Sequence, residues 1–126
     1  MRLLLDTVTF IRAVKAPELL SRRAMAALEH PEAIRELSAI SISEIAIKYA
    51  IGKLDLSKED VLAAIAGFDL RMLTLKTNHA FHLFHLPLHH SDPFDRQLIA
   101  QAMAENIPVV TPDPKFRLYK SIQVIW

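Results

Sequence analysis

Four carboxylates stand where the chain changes character. Asp6 follows the apolar run Arg2–Leu5; Glu44 lies in SISEIAIKYA; Asp95 lies in DPFDRQLIAQA; Asp113 comes just after Ile107–Thr111. Each has an ordinary structural reading. Asp6 can cap a first helix, Glu44 can close a Ser41-x-x-Glu44 capping box, Asp95 sits in a first helical turn and Asp113 in a Thr-Pro-Asp-Pro turn. Brought together they would do something else. Crowded carboxylates repel one another, and one is driven toward protonation unless a cation relieves the charge. Mg²⁺ accepts a few carboxylates around several waters, and Mn²⁺ has similar preferences; either ion lowers the pKa of a bound water and neutralises charge on a phosphate.

Whether the four meet depends on the elements that carry them. Arg2–Leu5 reads as a short buried strand delivering Asp6 to an edge. The pattern then predicts a short helix over Thr7–Val14, a helix from Pro17 to Glu29 with Leu20, Ala24, Ala27 and Leu28 as its apolar stripe, and a strand over Leu37–Ile42. A helix over Ser43–Leu54 follows, with Ile45, Ala46, Tyr49 and Ala50 facing inward. Ser57 caps Lys58–Gly67 with Asp60 at its third position. Arg71–Leu75 is a strand and Thr77–Leu86 a helix stopped by Pro87. Asp92 caps a helix whose first residue is Pro93 and whose apolar face is Leu98, Ile99, Ala102 and Met103. Ile107–Thr111 and Ser121–Trp126 are strands. Strands alternating with helices argue an α/β fold with a mostly parallel sheet, whose C-terminal strand ends share one edge. Asp6, Glu44, Asp95 and Asp113 are expected to converge there.

Composition narrows the function classes. The 126 residues make a single domain over 1–126, with 52% hydrophobic and 23% charged residues. Disulfides, cysteine–zinc sites and thiol nucleophiles are excluded because there is no cysteine, and the two glycines, Gly52 and Gly67, cannot build a phosphate-cradling loop. The opening MRLLLDTVTFI is broken by Asp6 and Arg12, which argues against a signal peptide or membrane span and for a cytoplasmic protein. A net charge of +1 is no broad basic footprint, so an RNA partner would be selected by shape or an exposed single-stranded loop rather than by bulk charge.

The residues LLLDT at 3–7, SAISISEIAIKYAIGKL at 38–54, HHSDPFDRQLIAQAMAENIPVVTPD at 89–113 and the closing IQVIW resemble PIN-domain proteins, specifically the VapC-type toxin ribonucleases of type II toxin–antitoxin systems. DPFDRQLIAQA with its following strand and TPD is the more specific part. The resemblance implies a PIN-like three-layer α/β fold, with a mostly parallel central sheet flanked by helices. It also implies a Mg²⁺- or Mn²⁺-dependent endoribonuclease, a homodimer and a cognate antitoxin that reaches the acids with a basic side chain. Asp6, Glu44, Asp95 and Asp113 map onto the catalytic, metal-binding acids and Thr111 onto a supporting hydroxyl. Of the two acids in DPFD, helix geometry makes Asp92 the cap and gives it a supporting role, while Asp95 takes the third catalytic position. After Asp6-Thr7 many relatives carry His and then Trp, where this chain reads VTFIR, and Pro112 before the fourth acid is unusual.

Other polar residues are weighed against ordinary readings. Lys48 can pair with Glu44 one turn earlier, or contact phosphate. Lys115 and Arg117, with Lys120, form either a solvated face or an RNA-backbone contact. His79, His82 and His85 recur every third residue and read as a solvated helix face, whereas His89 and His90 are near enough to Asp92 to touch substrate. Apolar segments at Ala24–Leu28 and Ala63–Ala66 suggest exposed surface covered by a partner. The alternative to an enzyme is a non-catalytic α/β binding module whose acids serve only as caps; a phospho-acceptor receiver ranks last, since only Asp6 is early in the chain.

Overall fold

Leu3, Leu4 and Leu5 alternate across the first strand and all three are buried, which places that strand inside a sheet covered on both faces. The computed structural model describes residues 1–126 and contains five strands: β1 (Arg2–Leu5), β2 (Ile34–Ser38), β3 (Arg71–Leu73), β4 (Val109–Val110) and β5 (Val124–Ile125). All neighbours are parallel, in the order β3-β2-β1-β4-β5. Six α-helices flank it: α1 (Thr7–Lys15), α2 (Arg22–Glu29), α3 (Ala39–Ala50), α4 (Lys58–Gly67), α5 (Thr77–His82) and α6 (Pro93–Glu105). Leu3 and Leu5 pack one face with Phe10, Ala24, Leu28 and Ile45, while Leu4 packs the other with Ile99, Ala102, Phe116 and Tyr119. The three-layer α/β arrangement expected from the sequence is the one found. No helix is long and apolar enough to cross a membrane.

Strand order also fixes where ligands can enter. The chain builds outward from β1 to β2 and β3, then returns to lay β4 on the opposite side of β1, so the order reverses between β1 and β4. In an open parallel sheet the crevice beyond the C-terminal strand ends at such a reversal is the usual binding place. Leu5 pairs with Val110, so Asp6 and Thr111, the next residues, leave the sheet side by side at that crevice.

Several element boundaries differ from expectation. β2 ends at Ser38, whose side chain accepts from the Ile40 amide and caps α3. Residues expected to extend the strand to Ile42 are therefore the first turn of a helix. Glu44 is mid-helix, and the Ser41 capping box does not exist: the buried Ser41 hydroxyl accepts instead from Thr7 Oγ1 at 2.9 Å. Pro17–Glu29 is divided into a 3₁₀ turn, Pro17–Leu19, and α2 capped by Ser21. The Thr77–Leu86 helix likewise tightens to 3₁₀ at Leu83–His85. On α3 only Ile45 of the anticipated inward residues is buried; Ala46, Tyr49 and Ala50 face outward. Ala24 and Leu28 are core rather than exposed patch, and the large exposed apolar side chains include Ile47, Ile51, Leu62, Phe81, Phe84 and Leu88. The Ser57–Asp60 capping box and the Asp92 cap are as expected.

Candidate metal centre

Asp6, 1% exposed, is held from both sides. Its Oδ1 accepts from the Thr9 amide at 2.8 Å, capping α1, and its Oδ2 accepts from Thr111 Oγ1 at 2.6 Å. The same hydroxyl accepts from the Asp113 amide at 3.0 Å, so Thr111 joins the ends of β1 and β4 into one unit. Asp113 in turn caps the 3₁₀ turn Pro114–Leu118 through the Lys115 amide. Burial is the main force pushing the Asp6 carboxyl above its usual range; the bonds from Thr111 and Thr9 oppose it, and the charge of Asp113 adds to it.

Two helices bring the remaining acids. α3 places Glu44 in a buried position where Oε2 accepts from Lys48 Nζ at 2.6 Å, the one-turn pair foreseen from spacing. Its other oxygen, Oε1, is buried without a hydrogen-bond partner. Lys48 is held in its charged form by that bond, and the carboxylates of Asp92 and Asp95 reinforce it. α6 places Asp95 in its first turn, with Asp92 Oδ1 accepting from the Phe94 and Asp95 amides, both at 2.9 Å. Burial, then the charge of Asp92, then those of Asp6 and Glu44 push Asp95 up to about 7, with His90 pulling the other way.

His90 is the residue whose place in the site sequence reasoning understated. It is buried, and its Nε2 lies 2.8 Å from Asp113 Oδ2 and 3.1 Å from Asp95 Oδ2. One ligand atom from each of these three residues lies within 4.8 Å of the others. The signal was the His89-His90 pair ahead of Asp92. His89 is exposed, so only the second histidine enters the site. His79 was also misjudged: rather than part of a solvated face it is fully buried, with Nε2 3.0 Å from Glu105 Oε2 and Nδ1 accepting from the Lys76 amide. Its neighbour His85 is exposed. Lys115 and Arg117 are exposed on the turn that follows Asp113.

The PIN domain profile matches residues 3–121. The chain belongs to the PIN domain family. Its fold is similar to a chain in the structure of VapBC2 from Rickettsia felis bound to a DNA fragment from their promoter. There the TM-score is 0.74 at 19% identity, over 98% of this chain and 97% of that one. A chain of DNA-bound VapBC from Salmonella typhimurium gives 0.69 at 22% identity, covering 98% and 96%. One of VapBC-5 from Mycobacterium tuberculosis gives 0.65 at 18%, covering 98% and 97%. No curated protein sequence matches the chain.

As a PIN domain, the chain gathers Asp6, Glu44, Asp92, Asp95 and Asp113 around one crevice with Lys48 as the lysine in direct contact. That donor set fits a hard divalent cation. The orphaned Glu44 Oε1 is a buried acceptor that a cation or its water can satisfy, and Asp95 is raised by burial first and by the neighbouring carboxylates second.

Proposed function

We propose that the chain is a VapC-type toxin, a Mg²⁺- or Mn²⁺-dependent endoribonuclease that hydrolyses RNA phosphodiester bonds. The observation that carries this reading is geometric: carboxylates from four separate segments lie together at the sheet's reversal point, close enough for Asp92, Asp6 and Glu44 to raise Asp95 beyond what burial does. Asp6 and Asp95 would hold the ion, with Glu44 and Asp113 completing the set directly or through water. Bound there, the ion supplies an acidified water and charge neutralisation at the phosphate. The protein's own residues do the rest. Thr111 fixes Asp6 and opposes the upward push of burial on its carboxyl, the Asp92 cap orients the first turn that carries Asp95, and Lys48 holds one oxygen of Glu44 while the other stays free. Lys115 and Arg117, exposed on the turn after Asp113, would suit a phosphate backbone, as Lys48 would if it released Glu44.

Partners follow from charge and exposed surface. An antitoxin would present a basic side chain to the acids, and the similar chains come from VapBC structures. Exposed Ile47 and Ile51 on and just beyond α3, and Phe81 stacked on Phe84, would be covered in a homodimer or by that partner. The proposed setting is the cytoplasm. A second reading, a binding module that keeps its acids for structure, has a specific observation in its favour: Asp6, Asp92 and Asp113 all cap helices. Inducing the chain alone in its host and mapping new RNA ends separates the two. Cleavage ends that vanish in Asp95→Asn support the nuclease; no cleavage while metal still binds moves the weight to the module.

A further inference from the structure

His90 is anchored on every side by groups outside the acidic set. Its amide donates to Tyr119 Oη at 2.9 Å, and Tyr119 Oη donates to the Pro87 carbonyl at 2.8 Å. Its carbonyl accepts from Arg96 Nη1 at 3.2 Å, an arginine that also bonds the Leu86 and Pro87 carbonyls. The ring stands edge-on to Phe116 at 5.8 Å between centroids. Together these bonds fix the segment from Leu86 to Asp92 against α6 and the turn after Asp113, although that segment has no α-helix or strand of its own. Such anchoring exceeds what an exposed substrate-contacting histidine needs.

The ring's hydrogen bonds also decide which nitrogen carries the proton. Nδ1 lies 3.2 Å from the Asp92 backbone N–H and can only accept there. The proton of the neutral ring therefore sits on Nε2 and is donated to Asp113 Oδ2, while Asp95 Oδ2 lies 3.1 Å from the same nitrogen. A nitrogen that is already a donor offers no lone pair to a metal. Asp113 gives Oδ2 to this N–H and Oδ1 to the Lys115 amide.

We propose that His90 is a positioning residue of the candidate metal centre: its Nε2–H bonds Asp113, beyond β4, while the same edge of the ring stands against Asp95, from α6, so that it presets the spacing of the two acids and stays outside the metal's own ligands. This rests on the reading of the acids as a metal site. It makes the ligand set all oxygen, hence suited to hard Mg²⁺ or Mn²⁺ and poorly suited to metals that seek imidazole. Partners that orient metal ligands in this way typically change metal affinity about 10- to 100-fold when removed.

The test is Mn²⁺ binding by calorimetry at pH 8 to the full chain and to His90→Ala and His90→Gln, with electron spin-echo spectra of the loaded wild type. Glutamine keeps an N–H donor where Nε2 stands. Expected results are a Kd raised about 10- to 100-fold in His90→Ala, recovery to within a few-fold of wild type in His90→Gln, and no coupling from a directly bonded ¹⁴N. Equal Kd values in all three proteins, or loss in both variants alike, would overturn the positioning role. So would a directly bonded ¹⁴N signal, which would make His90 a ligand. If the wild type binds no Mn²⁺ at all, the metal-site reading fails with it, so the two failures are told apart.

Discussion

Asp95 sits at about 7 because burial and neighbouring carboxylates disfavour its charged form. In the unfolded chain the same group titrates near about 3.9. Between about pH 4 and pH 7 the folded protein therefore holds a proton that the unfolded chain has released, and stability falls as pH rises through that window, levelling above it. The buried Asp6 carboxyl, also raised, acts in the same direction. Glu105, held low chiefly by His79, stabilises the fold above its unfolded pKa and loses that effect only at the acid end. The metal-free protein should thus melt lower at pH 8 than at pH 5, and Asp95→Asn should flatten most of that slope. Saturating Mg²⁺ or Mn²⁺ should lift the melting temperature more at pH 8 than at pH 5, since binding displaces the Asp95 proton. A metal-free melting temperature that rises from pH 5 to pH 8 would contradict the charge imbalance. Thr111 makes a second test at this scale. In Thr111→Val a buried oxygen of Asp6 loses its donor and the Asp113 amide its acceptor, for an expected loss of about 1–3 kcal/mol. Urea denaturation reads that loss, and Mn²⁺ titration at neutral pH should show weaker binding alongside it.

Ser38 is the hinge between elements. Its hydroxyl caps α3 by accepting from the Ile40 amide at 3.0 Å, and donates to Gln101 Oε1 on α6, so one buried side chain ties the helix bearing Glu44 to the helix bearing Asp95. Ser38→Ala should cost about 1–2 kcal/mol in urea unfolding, from the lost cap and from the unpaired Gln101 oxygen. An unchanged midpoint would show that the link contributes nothing. This junction is also where local pattern misled. Ser38-Ala-Ile-Ser-Ile-Ser offers three serines able to cap and an alternation of isoleucines that fits a strand, and propensity alone does not choose among them. Tertiary contacts choose: the β1–β2 ladder runs out where Leu5 meets Leu37, and Gln101 receives the Ser38 hydroxyl from more than sixty residues away. By contrast, the cap and proline that start α6 are local chemistry, and they were readable. α6 ends at Asn106, which adopts a left-handed conformation with φ 53°.

At the scale of the molecule, the alternation of strand and helix was enough to foresee a parallel sheet and to send four acids toward one edge. His90 was not foreseeable in the same way, because its bond to Asp113 spans 23 residues and its tautomer depends on a backbone amide. Nor was the charge network across the sheet. Glu36 on β2 is 1% exposed and is held by Arg2 on β1 and Arg71 on β3, while Arg2 also reaches Glu105 on α6. Arg2 is held charged mainly by its bond to Glu36. Removing it leaves that carboxylate with Arg71 alone, so Arg2→Met should destabilise by about 1–3 kcal/mol, read as a lower urea midpoint with unchanged slope. The acidic crevice is served by a fold fastened elsewhere, and the central claim concerns the crevice itself. Its most direct test is cleavage of a structured RNA pool by the purified chain, titrated with Mg²⁺ and Mn²⁺, beside a chelated sample and the Asp95→Asn variant. Cleavage that rises with metal, stops on chelation and is absent in Asp95→Asn is the expected result. Cleavage that survives thorough chelation or persists unchanged in the variant would contradict the metal-centred account.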